Sequence, residues 1–506
     1  MLAFSVNVSL ILDMAADGFG ERTVLGPRSD GLTAARLRSL ARAGAETIAE
    51  EDADCLVYLG PNGLAFEIAM FSAAEAVVPF VPLNYRLGTS QLARLLSRHR
   101  GGITLLGSAI DTEAMEPGVR FISRDAWTAA VEARALQQQG NTSGNASSDA
   151  VAALIYSSGT TGDPKAVVLR HRHLASYVFS SIEFGAAGPT EAALMCVPPY
   201  HIAAVANALT NLYAGRRLVV MDAFNEQAWL DAVRREAITH AFLVPTMLAR
   251  IVDLARGGAD VSVPSLQTLS YGGAQMPHRV IEGALALWPD VSFVNAYGLT
   301  ETASTISVLG PTDHRVAAAG TDQQTRARLS SAGRPLPTVE VEIRDEAGRP
   351  TARGTRGRIW VRGPQVAGEY LEGGPAASTD GFFDTRDEGH FDCEGYLFVE
   401  GRVDDTIIRG GENIAPSEIE RVLLQHHAVR EAIVVGVPDE EWGETLAAVV
   451  VPQPAAVVDP DDVRLFVRSV LRRSKTPDRI DVWPALPYTE LGKVSRREVL
   501  ARLLAC

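Results

Sequence analysis

Cysteine is scarce in this chain. Cys55, Cys196, Cys393 and Cys506 are its four, and no two are spaced as a CxxC pair. That excludes a disulfide framework and a zinc ribbon, and it fits a reducing cytoplasm. Positive charge is also in deficit: 47 Lys and Arg face 61 Asp and Glu, a net charge of −14. Such a balance disfavours nucleic acid and anionic membranes as partners, so an anionic substrate must be drawn in by local charge. No uninterrupted apolar run is long enough to span a bilayer. No fixed-period repeat and no long low-complexity tract occur. The first 16 residues lack Lys and Arg and contain Asp13. They are expected to form an amphipathic packing helix rather than a signal peptide.

What is present reads as an ordinary globular protein, with 46% hydrophobic and 21% charged residues. At 506 residues the chain exceeds one compact core, and two to four structural units are expected. Strand-like apolar runs at 55–59, 78–81, 102–106, 217–221, 240–244 and 291–295 alternate with helical patterns at 64–76, 226–235 and 246–255. That alternation argues for α/β architecture with largely parallel sheets. The polar, Gly/Ser/Asn-rich stretch 137–148 reads as a linker. Near residue 330 the texture changes to short alternating runs at 339–344, 358–362 and 397–400, which suit an antiparallel, barrel-like unit. Beyond residue 402 come a helix at 416–426, strands at 431–437 and 446–452, and a helix at 460–473. This is a small α+β unit of a size that folds independently.

The most informative stretch is Ser157-Ser158-Gly159-Thr160-Thr161-Gly162-Asp163-Pro164-Lys165, between strand-like runs 151–156 and 166–169. Glycine permits close backbone approach, Ser and Thr hydroxyls donate to anionic oxygens, and Lys165 supplies a full charge. The combination suits a polyphosphate, although the same residue types also build surface turns. The usual P-loop spacing is absent, because Lys165 lies three residues after Gly162.

Further blocks follow in order. They are Pro198-Pro199-Tyr200-His201, Asn295-Ala296-Tyr297-Gly298-Leu299-Thr300-Glu301-Thr302, Gly401-Arg402-Val403-Asp404-Asp405, Gly410-Gly411-Glu412-Asn413-Ile414 and Leu491-Gly492-Lys493-Val494. Together with the first loop they resemble the adenylate-forming superfamily of acyl- and aryl-CoA synthetases, peptide-synthetase adenylation domains and luciferases. The resemblance covers nearly the whole chain and is strongest to aryl-CoA ligases of the halobenzoate type. It implies a large N-terminal domain over 1–402, with two α/β subdomains and a β-barrel-like one at about 330–402. A mobile α+β C-terminal domain over 403–506 caps it, pivoting near Asp404.

The implied reaction joins a carboxylic acid to ATP, giving acyl-AMP and pyrophosphate, and then transfers the acyl group to the thiol of coenzyme A. The electrostatic problem is that a carboxylate must approach an anionic phosphate. The site therefore needs cations and N–H donors aimed at the growing charge, and alignment of the reacting groups. By resemblance, Ser157, Ser158, Gly159, Thr160, Thr161, Gly162 and Lys165 hold phosphates. Glu301 ligates Mg²⁺, Thr300 donates to the α-phosphate, and Tyr297 lies against adenine. Asn295, Ala296 and Gly298 belong to that same nucleotide block, and Gly272, Gly273 and Ala274 join the binding wall. Asp387 takes the ribose hydroxyls, and Arg402 reaches ribose or phosphate. The chain departs from the family pattern at Arg386, where glycine is usual. Lys493 resembles the mobile catalytic lysine. His201 is expected as gate and pocket wall beside the reacting carboxyl. Gly410 and Gly411 line the pantetheine path and Trp442 packs against it, with Arg472, Arg473 and Lys475 facing the CoA phosphates.

Segment 198–206 contains no acid, which disfavours an amino-acid substrate. The segments 201–208 and 272–277 are small-walled and lack Arg and Lys, which suits an aryl or medium-to-long acyl group over a dicarboxylate. A carrier-protein pantetheine arm is the alternative acceptor to free CoA. A homodimer is compatible with the family. A nucleotide-binding regulator without turnover would have no use for Lys493 and Asp404, and nothing points to a luciferin.

Overall fold

The computed structural model describes residues 6–107, 118–137, 147–157, 164–409, 412–439, 442–489 and 493–505. Two large sheets dominate. One is nine-stranded, in the order Arg334–Pro335, Ser304–Leu309, Ser292–Leu299, Thr268–Gly272, His240–Leu243, Ala192–Met195, Arg217–Val220, Thr23–Leu25, Leu32–Thr33. Its strands from Ser292–Leu299 to Thr23–Leu25 are mutually parallel. The other is eight-stranded and runs from Gly374–Pro375 and Glu369–Tyr370 through Lys165–Arg170 and Val151–Ser157. It continues through Phe80–Pro82, Leu56–Leu59 and Ile103–Leu106 to Arg120–Ser123. Parallel strands covered by helices on both faces read as continuous apolar runs, and Leu56–Leu59 is buried at every position.

The helices lie where the periodicity places them. Leu64–Ala76 and Glu226–Arg235 match the expected bounds, and Pro245–Arg256 extends the expected 246–255 by one residue at each end. Asn225 caps the second of these by accepting from the Ala228 N–H at 3.0 Å. The first helix is Val8–Phe19, shifted C-terminal of the expected 1–16 because Asn7 caps it by accepting from the Leu10 N–H.

The antiparallel unit is a four-stranded sheet, Glu340–Arg344, Gly357–Arg362, Phe383–Phe391, Leu397–Arg402. Its apolar side packs Ile343, Ile359, Val361, Phe383 and Leu397 against Ile306 of the nine-stranded sheet. After a short turn at Val403–Asp405 the chain enters the last unit. There Val429–Asp439 and Gly443–Pro452 form a long hairpin, flanked by Ile407–Arg409, Glu412–Ile414 and Arg479–Val482. Two helices are shorter than their patterns suggest. Pro416–Leu423 and Pro460–Val470 stop early, the second running into a tight turn at Arg473–Lys475.

Candidate active site

The site gathers at the carboxyl ends of parallel strands, where open α/β sheets bind ligands. Gly272 lies opposite Ala296 in register, so the two predicted glycine-rich and aromatic blocks are neighbours. A Cβ on Gly272 would stand 2.2 Å from the Ala296 carbonyl oxygen, and one on Gly298 would stand 1.9 Å from the Ser304 carbonyl oxygen. Both positions require glycine because backbone fills the space. Gly273 and Ala274 are exposed at the rim. Asn295 turns its amide to the Ser331 carbonyl at 2.8 Å and so braces the strand. Just after Glu301, Ala303 and Ser304 hold φ of +52° and +115°. Strain of that kind persists only where surrounding structure enforces it.

Asp387 and Arg402 are cross-strand partners on the antiparallel sheet, with 3.7 Å between Arg402 Nε and Asp387 Oδ1. The Tyr297 hydroxyl donates to Asp387 Oδ2 at 2.7 Å, which anchors the ring by its tip, and the ring packs against the apolar cluster around Ile306. Burial raises the Asp387 carboxyl, while Arg402, the Tyr297 bond and Lys493 pull it back. Lys493 thus reaches this group from the C-terminal unit. On either side of it the backbone is paired: the Thr489 N–H donates to the Lys493 carbonyl at 2.6 Å, and Tyr488 pairs with Val494. Lys493 keeps solvent-exposed surface, yet protein crowds the cleft around it. The lost hydration pulls its ammonium below the ordinary lysine range, with Arg402 adding to that pull and Asp387 and Glu301 opposing it. The Arg279 guanidinium, from helix His278–Leu287, donates to the Arg430 carbonyl at 2.6 Å and ties the C-terminal unit to the larger one.

Glu301 is 9% exposed. Its Oε1 accepts from the Tyr370 hydroxyl at 2.9 Å, and its backbone carbonyl accepts from Ala367. Lys165 stands over the Tyr370 ring, 5.7 Å from the centroid. Among the described residues no cluster of three or more His, Cys, Asp and Glu could hold a metal. The Glu301 carboxylate supplies hard oxygens of the kind Mg²⁺ takes, and an ion held by one protein carboxylate would complete its shell with water and phosphate. Thr300 is half-buried directly before Glu301. His201 has its Nε2 buried without a partner among the described residues. Burial first, and the Lys493 charge second, push its imidazole down to about 3, so it is a neutral ring facing the cleft.

Ser157 pairs with Lys165 at the mouth of the expected hairpin. Ser158, Gly159, Thr160, Thr161 and Gly162, and likewise Gly410 and Gly411, lie outside the described residues. Trp442 is 46% exposed, and Arg409 stacks on its ring at 5.7 Å. Lys475 pairs with Glu418, so its charge is already partnered within the C-terminal unit. Asp404 pairs with Arg386 at 2.8 Å. Sequence reasoning missed Tyr370. Its only local signal is an aromatic two positions after Gly368, and its importance comes from pairing with Val167 beside the phosphate-loop lysine.

These features define an enzyme that handles a nucleotide between a large unit and a small capping one. The chain belongs to the AMP-binding enzyme family: the family model matches residues 12–371, and the AMP-binding enzyme C-terminal domain matches 418–493. It is 34% identical to a feruloyl-CoA synthase from Amycolatopsis sp over 464 residues, 89% of each protein. It is 33% identical to the fatty acid–[acyl-carrier-protein] ligase ScoC of Streptomyces coeruleorubidus, covering 89% of this chain and 86% of the relative. The o-succinylbenzoate CoA synthetase of Bacillus subtilis, solved with its acyl-adenylate intermediate, superposes with a TM-score of 0.82 at 27% identity, covering 97% of each chain.

Proposed function

We propose that this protein is an AMP-forming acyl- or aryl-CoA synthetase acting in the cytoplasm. The observation that carries this reading is the convergence of Lys493, Asp387, Arg402 and Glu301 in one cleft, drawn from both units. ATP lies with adenine on Tyr297, ribose on Asp387 and its phosphates toward Lys165 and the loop before it. Glu301 would hold the magnesium ion, which would supply neutralisation of phosphate charge. Lys493 places its ammonium between the incoming carboxylate and the α-phosphate and offsets their repulsion. Neutral His201 forms the wall beside the reacting carboxyl and leaves that repulsion to the cations. The residue range 403–506 then turns about Asp404 and brings Trp442 and the Gly410-Gly411 segment to the thiol path.

Free CoA is the preferred acceptor, supported by the CoA-ligase relatives. A carrier-protein arm is the second reading, supported by the acyl-carrier-protein ligase among them. Among the described residues no helix is long and apolar enough to cross a membrane, and the described cysteines Cys55, Cys196 and Cys393 are free. ATP–pyrophosphate exchange with a panel of aryl and fatty acids tests the first step. Thioester formation with CoA, against loading of a carrier protein, tests the acceptor. Exchange with none of the acids overturns the reading.

A further inference from the structure

The strand Phe383–Phe391 carries a bulge where it meets Gly357–Arg362. Asp384 faces Trp360 and Glu388 faces Arg358, so three residues on one strand oppose Ile359 alone on the other. Bulges bend a strand and re-aim its side chains. Here Asp387 turns inward, 7% exposed. Arg386 turns outward, with its side chain 53% exposed. Arg386 holds φ at +61°, a conformation disfavoured for any residue with a Cβ, and its N–H donates to Asp384 Oδ1 at 2.8 Å. The guanidinium spans to Asp404 at 2.8 Å, and the Asp404 side chain is only 15% exposed.

We propose that Arg386 is a positioning residue that latches Asp404 and holds the C-terminal unit with Lys493 in the cleft. This rests on the pivot reading above. Rotation about residue 404 changes the backbone that carries the carboxylate, so the pair exists in one arrangement and biases the molecule toward it by differential interaction. A half-exposed ion pair of good geometry is worth up to about 1 kcal/mol, or a factor of about five in population. The latch favours acyl-adenylate formation over release of the C-terminal unit for the second step. Arg386 acts through Asp404 and touches no reacting atom.

Arg386→Gly tests this, because glycine accepts the positive φ and removes the charge. Labels at Val316→Cys and Leu465→Cys, in a Cys393→Ser, Cys506→Ser background, report the separation of the two units without any substrate. The expected result is a shift toward the alternative separation. ATP–pyrophosphate exchange falls and thioester formation from supplied acyl-adenylate rises, and the ratio of the two rates changes by up to about fivefold. Asp404→Asn gives the same shift in separation, the double variant adds nothing further, and Arg386→Lys restores most of it. An unchanged separation overturns the latch whether or not the protein turns over. Equal loss of both half-reactions also overturns it, since that assigns the side chain to the geometry of Asp387. A shifted separation in a protein that exchanges pyrophosphate with no acid supports the latch and defeats the synthetase reading alone.

Discussion

Among the carboxylates buried in the described residues, Asp387 and Glu67 differ in their surroundings. Asp387 sits in the cleft and Glu67 in the helix Leu64–Ala76, at 7% and 2% exposure. Loss of hydration raises both. Around Asp387 stand the Tyr297 hydroxyl, Arg402 and Lys493, each favouring the charged form. Glu67 has no hydrogen-bond partner for either oxygen among the described residues, and burial pushes it up to about 8. A buried charge is stable only when paired and hydrogen-bonded. The cleft supplies those partners from three segments far apart in sequence, whereas the helix supplies none. Burial alone therefore does not mark a working group; partners from separate elements do.

The comparison can be broken or sharpened experimentally. The largest effect is expected on the cleft side. Lys493→Ala should lower adenylation by ~10²–10³, while thioester formation from supplied acyl-adenylate stays within a few-fold. Equal loss in both steps would remove Lys493 from its assigned role. Next, Asp387→Asn should raise the KM for ATP by roughly tenfold, the cost of a lost hydrogen-bonded carboxylate. It should also move the alkaline limb of the adenylation profile to lower pH, because Asp387 raises the Lys493 ammonium and that support is lost. An unmoved limb would mean the two groups do not communicate. Tyr370→Phe removes the hydrogen bond to Glu301, so the Mg²⁺ concentration for half-maximal activity should rise by about three- to fivefold at unchanged thermal stability.

The smallest effect on activity is expected at Glu67. Its folded-state value is raised to about 8, against an ordinary 4.5. The sign follows: its favourable contribution is complete below about 4.5 and is lost as pH rises through about 8. Glu67→Gln should therefore raise the thermal midpoint of unfolding at pH 8 by several degrees, and by much less at pH 5, with kinetics unchanged. A lower midpoint at pH 8 would show that Glu67 has a compensating partner.

Much of the plan was legible beforehand. Apolar runs of the right length identified the parallel strands, and helix bounds such as Leu64–Ala76 and Glu226–Arg235 followed from their periodicity. The blocks around Tyr297, Asp387, Arg402 and Lys493 could be listed from the chain, but not their contacts. The early ends of Pro416–Leu423 and Pro460–Val470 were not legible, because tertiary packing outweighs local propensity at helix termini. Tyr370 escaped notice because its partners Glu301 and Lys165 lie 69 and 205 positions away.

By itself the sequence determined the class of architecture, through its short-range apolar pattern, while the nucleotide chemistry and the cleft cations Arg402 and Lys493 were named through the resemblance of its motifs to a known family. Tertiary structure alone decided that Lys493 faces Asp387 and Glu301, that Tyr370 joins Glu301 to Lys165, and that Arg386 meets Asp404. The reason is physical. Coulombic and hydrogen-bond energies act over a few ångströms of space, and only the folded chain brings residues from distant segments within that range.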